Sequence, residues 1–184
     1  MIVARGGEGG GHGDDRVGTL ALLQGVLDAV GDEVIVVAAG GIGTARGLAA
    51  ALAAGAGGAW VGTALLTCSE ALTPPAARQR LIAATELDTV STSVFDIAQQ
   101  LAWPPEYRGR VLINAFTAVW HGHEDDLARQ RDAPQRLEDA RARGNFDTAV
   151  IYAGQGVGSL SLEASAETVI SEMAGEAEAL LRRW

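Results

Sequence analysis

The chain has 184 residues, 48% apolar and 20% charged, which is the profile of a soluble globular protein long enough to bury a real core. A net charge of -9 argues against nucleic acid and anionic membrane surfaces as partners, since affinity for either comes from clustered Lys and Arg. Every basic side chain is Arg, and the lack of Lys excludes a Walker A loop and Schiff-base or pyridoxal chemistry.

Ile2 to Ala4 reads as a short strand running into a glycine ledge that carries His12. Leu20, Leu23, Leu27 and Val30 recur at helical spacing and predict one buried face ending near Gly31. Val34 to Ala38 is a continuous apolar run, as expected of a parallel strand covered on both faces, and Gly40 and Gly41 break it. A second helix starts after Thr44, a candidate N-cap, with Leu48 and Leu52 one turn apart and Gly55 at its end. Ala59 to Val61 makes a third strand, closed by Gly62 and Thr63. This alternation is α/β grammar.

Beyond Pro74 and Pro75 a helix is expected to about Ala84, then loop and short segments from Asp88 to Asn114 around Trp103, Pro104 and Pro105. The charged stretch Glu124 to Arg143 reads as one exposed helix with Leu127 and Leu137 as its main apolar positions. Ala166, Val169, Ile170, Met173, Ala177 and Leu180 form an amphipathic stripe, predicting a closing helix from Glu163 to Arg182.

Candidate chemistry gathers where strands end. VAAGGI, Val37 to Ile42, turns on two glycines into the helix at Thr44 and so offers backbone amides and the positive end of a helix dipole to an anion. Gly62 and Thr63 offer a second set at the end of the next strand, the arrangement by which (β/α) barrels hold a phosphate. Each glycine pair alone reads equally well as a tight turn; spaced for one βαβ unit, the two together favour the phosphate cradle. No G-x-G-x-x-G exists, because Arg46 and Ser159 stand where the third glycine would be.

Other candidates are weaker. The run His121-Gly-His123-Glu124-Asp125-Asp126 lacks a Cys partner, an i,i+4 pair and a distant third ligand, so a solvated loop is preferred to a metal site. Asp14 and Asp15 read as N-terminal charge for the following helix. Cys68 cannot close a disulfide within the chain and has no basic neighbour, so it reads as a small buried residue; with no leader ahead of the first glycines, a cytoplasmic protein is expected.

Glu8-Gly9-Gly10-Gly11-His12, then VAAGGI with Arg46 to Leu48, then Gly62-Thr63 resemble the signature series of nitronate monooxygenases in order and spacing. Thr89 to Phe95 and the GQGVG segment from Gly154 extend the resemblance over nearly the whole chain. It implies FMN as cofactor and an α/β fold: about the last three βα units of a partial TIM (β/α)8 barrel over residues 1–88, with a mostly helical extension over 89–184. By position it makes His12 the active-site base or substrate-orienting group. Gly40, Gly41, Gly62 and Thr63 would bind the FMN phosphate, and Gly10 and Gly11 would let backbone approach the cofactor. The implied reaction oxidises alkyl nitronates, and in some members nitroalkanes, with O2 to a carbonyl compound and nitrite; a homo-oligomer is left open.

Departures from the pattern are Arg5 and Trp60, where the family usually has Gln, and Asp14, where Gly is common. For Arg5 a solvated or ion-paired surface side chain is expected in preference to one facing a flavin. A complete barrel takes about 250 residues, so the expectation is an N-terminally truncated piece in which Met1 is internal. Two alternatives stand beside the monooxygenase reading: an FMN-dependent enoyl-acyl-carrier-protein reductase-like enzyme, which shares a similar ledge, and a non-catalytic fragment.

Overall fold

The computed structural model describes residues 1–160 and 164–183. Strand β1 (Ile2–Arg5) leads through the glycine ledge, which ends in the two-residue strand β2 (Gly11–His12), into helix α1 (Thr19–Val30). Strand β3 (Val36–Ala39), helix α2 (Ala45–Ala53) and strand β4 (Gly58–Trp60) follow. β1, β3 and β4 form a parallel sheet in that order. Its core is built from small side chains, Ala4, Ala38, Ala51 and Ala56 around Leu23 and Val36, which lets helix and sheet backbones approach closely.

The buried face of α1 is rotated from the predicted stripe. Leu23 is fully buried, and Leu22, Val26, Leu27 and Val30 pack beside it, whereas Leu20 is exposed. Thr19, one position earlier in the same turn, is 5% exposed, so Leu20 lies on a face of α1 that turns away from the sheet. Thr44 caps α2 as expected, accepting from the Gly47 amide at 3.2 Å, and Gly31 and Gly55 end their helices at φ 66° and 100°.

The second half carries helix α3 (Pro75–Ala83), strand β5 (Thr89–Thr92), helix α4 (Val94–Gln99), strand β6 (Gly109–Leu112) and helix α5 (Ala115–Trp120). Helices α6 (Glu124–Leu127), α7 (Ala133–Ala142) and α8 (Ala166–Leu181) complete it. The stretch read as loop and short segments therefore contains an antiparallel pair, β5 with β6, to whose free side β2 adds. Only that long-range pairing gives these four-residue strands their register. The single charged helix expected from Glu124 to Arg143 is instead two, because Pro134 lacks an amide donor and fits only the first turn of a new helix. Leu127 and Leu137 are nonetheless buried, packed with Phe95 and Phe116, whose rings stack at 5.1 Å.

Helix α8 packs on α2 through Ala45, Ala49 and Ala177, with Leu180 beside them. Ser165 caps α8 by accepting from the Thr168 amide at 3.0 Å; the expected start at Glu163 lies outside the described residues. Ile170, counted in the apolar stripe, is 54% exposed. Among the described residues, no helix is long and apolar enough to cross a membrane.

Candidate functional site

Because β1, β3 and β4 run parallel, their carboxyl ends share one edge of the sheet, where Arg5, Ala39 and Trp60 stand side by side in register. Each strand leaves that edge through glycines, and the turns enclose a cavity of about 490 Å³. All six glycine and threonine positions expected to bind a cofactor line it: Gly10 and Gly11 from the ledge, Gly40 and Gly41 after β3, Gly62 and Thr63 after β4. Val3, Ile42, Trp60 and Leu66 supply apolar wall. The volume falls within the roughly 300–1,000 Å³ usual for small-molecule sites.

Glycine is demanded here at particular points. Gly40 sits at φ 108°, and a Cβ on it would lie 2.8 Å from Thr19 Oγ1 and 2.9 Å from the Gly6 carbonyl. Gly10 passes so close to the GQGVG segment that a Cβ would fall 2.6 Å from the Gly154 nitrogen. That segment is pinned in turn, since the Gly154 amide donates to Thr63 Oγ1 at 2.9 Å and the Gln155 amide to the Glu8 carbonyl at 2.9 Å. At Gly62, by contrast, a Cβ would meet no atom within 4 Å.

His12 follows Gly11 but does not itself line the cavity. Its backbone is held by β2, opposite Gly109 of β6. Its Nε2 lies 2.8 Å from Oδ1 of Asp96, a side chain buried in the first turn of α4. The indole of Trp103 stacks on one face of the ring, with centroids 4.0 Å apart and planes 4° from parallel. Tyr152, which does line the cavity, tilts against His12 at 5.5 Å. Burial pushes the Tyr152 phenol pKa up, and the charge of Asp96 adds to that.

Arg5 corrects an expectation. Rather than sitting solvated or ion-paired at the surface, Arg5 lines the same cavity, and its Nη2 donates to the carbonyls of Gly9, Gly10 and Gly11 at 2.5, 3.2 and 2.9 Å. The two N–H groups of Nη2 are thus shared among three glycine carbonyls, while Nη1 is buried with no partner among the described residues. Burial lowers its pKa, as does the charge of Arg110, while Asp15 and Glu8 oppose the shift.

The charge at the start of α1 comes from Glu8, not from the Asp pair. Glu8 Oε2 accepts from the Thr19 amide at 2.8 Å and its hydroxyl at 2.7 Å, so a ledge residue satisfies the helix terminus. Asp14 instead binds Arg16, whose hydrogen bonds hold its carboxyl at about 2. His121 bonds Thr92 Oγ1 at 3.0 Å, and Glu124, Asp125 and Asp126 form the first turn of α6 rather than a loop. Cys68 is buried, and burial raises its thiol pKa.

Asp96, Trp103 and Tyr152 escaped the sequence reading. Asp96 in VFDIAQ looks like ordinary charge in a first helical turn, and the Trp-Pro-Pro segment looks like a plain loop. What joins them to His12 is the β2-β6-β5 sheet, which no local pattern announces.

A cavity at the carboxyl edge of a parallel sheet, lined by glycine turns, defines an α/β protein shaped to take a small molecule there. The chain belongs to the nitronate monooxygenase family, whose model matches residues 1–176. It is 35% identical over 192 residues to the nitronate monooxygenase npaC of Metarhizium robertsii, an overlap covering 98% of this chain and 53% of that protein. Among solved structures it is similar to FabK from Thermotoga maritima, with a TM-score of 0.80 and 26% identity over 98% of this chain and 55% of the other. The nitroalkane oxidase from Streptomyces ansochromogenes gives a TM-score of 0.79 and 29% identity over 98% of this chain and 52% of the other. The chain thus spans about half the length of the relatives it matches.

Proposed function

We propose that this chain forms the phosphate-binding and histidine-bearing part of an FMN-dependent (β/α)8 barrel that oxidises alkyl nitronates, and nitroalkanes, with O2 to a carbonyl compound and nitrite. β1, β3 and β4 correspond to the sixth, seventh and eighth strands, and the elements after residue 88 join this part through α8 on α2 and β6 on β2. The observation that carries the reading is the convergence of Gly10, Gly11, Gly40, Gly41, Gly62 and Thr63 on one cavity. Family membership independently supports it.

The residues fit the cofactor. With no Lys in the chain, backbone amides at Gly40, Gly41, Gly62 and Thr63 and the nearby N-terminus of α2 would hold the phosphate. Gly62, with open space where a Cβ would stand, leaves room for it. Gly10 and Gly11, whose carbonyls Arg5 binds, would present backbone to the cofactor. When bound, FMN supplies the electron transfer from substrate to O2. The chain's own part is acid-base: neutral His12 removes the proton beside the nitro group, and charged His12 orients an anionic nitronate.

The test is nitrite and carbonyl formation from propyl nitronate and 2-nitropropane by the FMN-loaded protein under air. The expected result is equal yields of the two products, with His12→Asn lowering turnover by about 10²-fold or more. Likeness to FabK supports a second reading, a related flavin enzyme driven by a reduced nicotinamide. Rapid flavin reduction by NADH or NADPH, without nitrite release, would favour that reading and overturn the first.

A further inference from the structure

We propose that Asp96 is a positioning residue that fixes His12 in its Nε2–H tautomer, so that the Nδ1 lone pair is the one free to act as base. The inference rests on the proposed role of His12 and names the atom that performs it. A carboxylate accepts hydrogen bonds and does not donate them, so the 2.8 Å contact from His12 Nε2 to Asp96 Oδ1 requires the proton on Nε2. A neutral imidazole protonated there has its lone pair on Nδ1. The contact is not optional for Asp96, which is 5% exposed, because burying a carboxylate without a donor is costly.

The rest of the surroundings removes the other ways the ring could turn. The backbone of His12 is registered on Gly109, Trp103 lies flat on the imidazole at 4.0 Å, and Tyr152 leans against it. Side-chain exposure of His12 is only 13%, so water competes poorly for the Nε2 proton. In proton removal from a nitroalkane, the C–H bond beside the nitro group breaks, the proton goes to Nδ1, and the bonding electrons stay on the substrate as the nitronate. The imidazolium that results carries its new charge next to the carboxylate of Asp96.

Long-range proton–nitrogen correlation spectra of protein labelled with 15N-histidine read the tautomer directly. They are recorded about two units above the ordinary histidine pKa of ~6.5, with His12→Asn assigning the signal. The expected result is an Nε2–H pattern for His12, redistributed toward Nδ1–H in Asp96→Asn, whose amide can donate as well as accept, and left as a mixture in Asp96→Ala. In the nitrite assay Asp96→Asn should lower kcat on the order of 10²-fold while KM changes little. An Nδ1–H pattern in the unaltered protein, or one unmoved by both substitutions, overturns the proposal, and the first of these needs no variant to fold. If His12→Asn leaves nitrite formation intact, the base reading fails separately, whatever the tautomer.

Discussion

The indole of Trp103 lies parallel to the imidazole of His12, 4.0 Å from it, although Trp103 is itself 48% exposed on the segment between α4 and β6. One face of the ring is therefore covered by a residue on the surface. Removing the indole should uncover His12 without touching Asp96 or the sheet. Trp103→Ala is expected to speed modification of His12 by diethylpyrocarbonate several-fold, read by peptide mass spectrometry with His121 and His123 as internal references. The lost stacking, worth about 0.5–1.5 kcal/mol, should cost little global stability. Unchanged His12 reactivity would mean that the indole does not cover the ring in solution.

Gly40 and Gly62 both line the cavity but should respond oppositely to a methyl group. At Gly40 the left-handed φ and the Thr19 hydroxyl 2.8 Å from the added Cβ make Gly40→Ala destabilising by about 1–3 kcal/mol. At Gly62 nothing stands within 4 Å, so Gly62→Ala should stay within about 0.5 kcal/mol of the parent and weaken FMN binding instead. Urea denaturation separates the two. Equal losses of stability would contradict the assignment of Gly62 to open space.

Tyr152 gives a pH dependence on the alkaline side. Its folded pKa is raised by burial and by Asp96, whereas the unfolded value is about 10. A raised pKa means the folded state holds the proton more tightly, so the associated stability is fully present below pH 10 and is lost as pH climbs through the folded value. With only two tyrosines in the chain, absorbance at 295 nm should show a phase above pH 10 that Tyr152→Phe removes. The same substitution should flatten the alkaline fall in melting temperature. A late phase that survives in Tyr152→Phe would contradict the assignment.

The parallel half of the fold was legible because its signals are local. Apolar runs mark β3 and β4, a threonine caps α2, and Gly40, Gly41, Gly55 and Gly62 stand where strand or helix stops. The glycine positions of the cavity were legible for the same reason. The surroundings of His12 were not, since Asp96 is 84 positions away in sequence and reaches the ring only because β2, β6 and β5 pair. Arg5 was misjudged because its partners are carbonyls, and a backbone turned inward leaves no trace in side-chain composition. Helical spacing marks an apolar stripe but not which of its edges the sheet covers, and Leu20 stands on the uncovered edge beside buried Thr19.

Whether the strand-end cavity takes FMN is decided by a fluorescence titration of the purified chain with the cofactor. The expected result is saturable quenching at one FMN per chain, abolished when Gly62→Trp fills the space. Flavin emission that falls only by dilution, or quenching that Gly62→Trp leaves untouched, would contradict it.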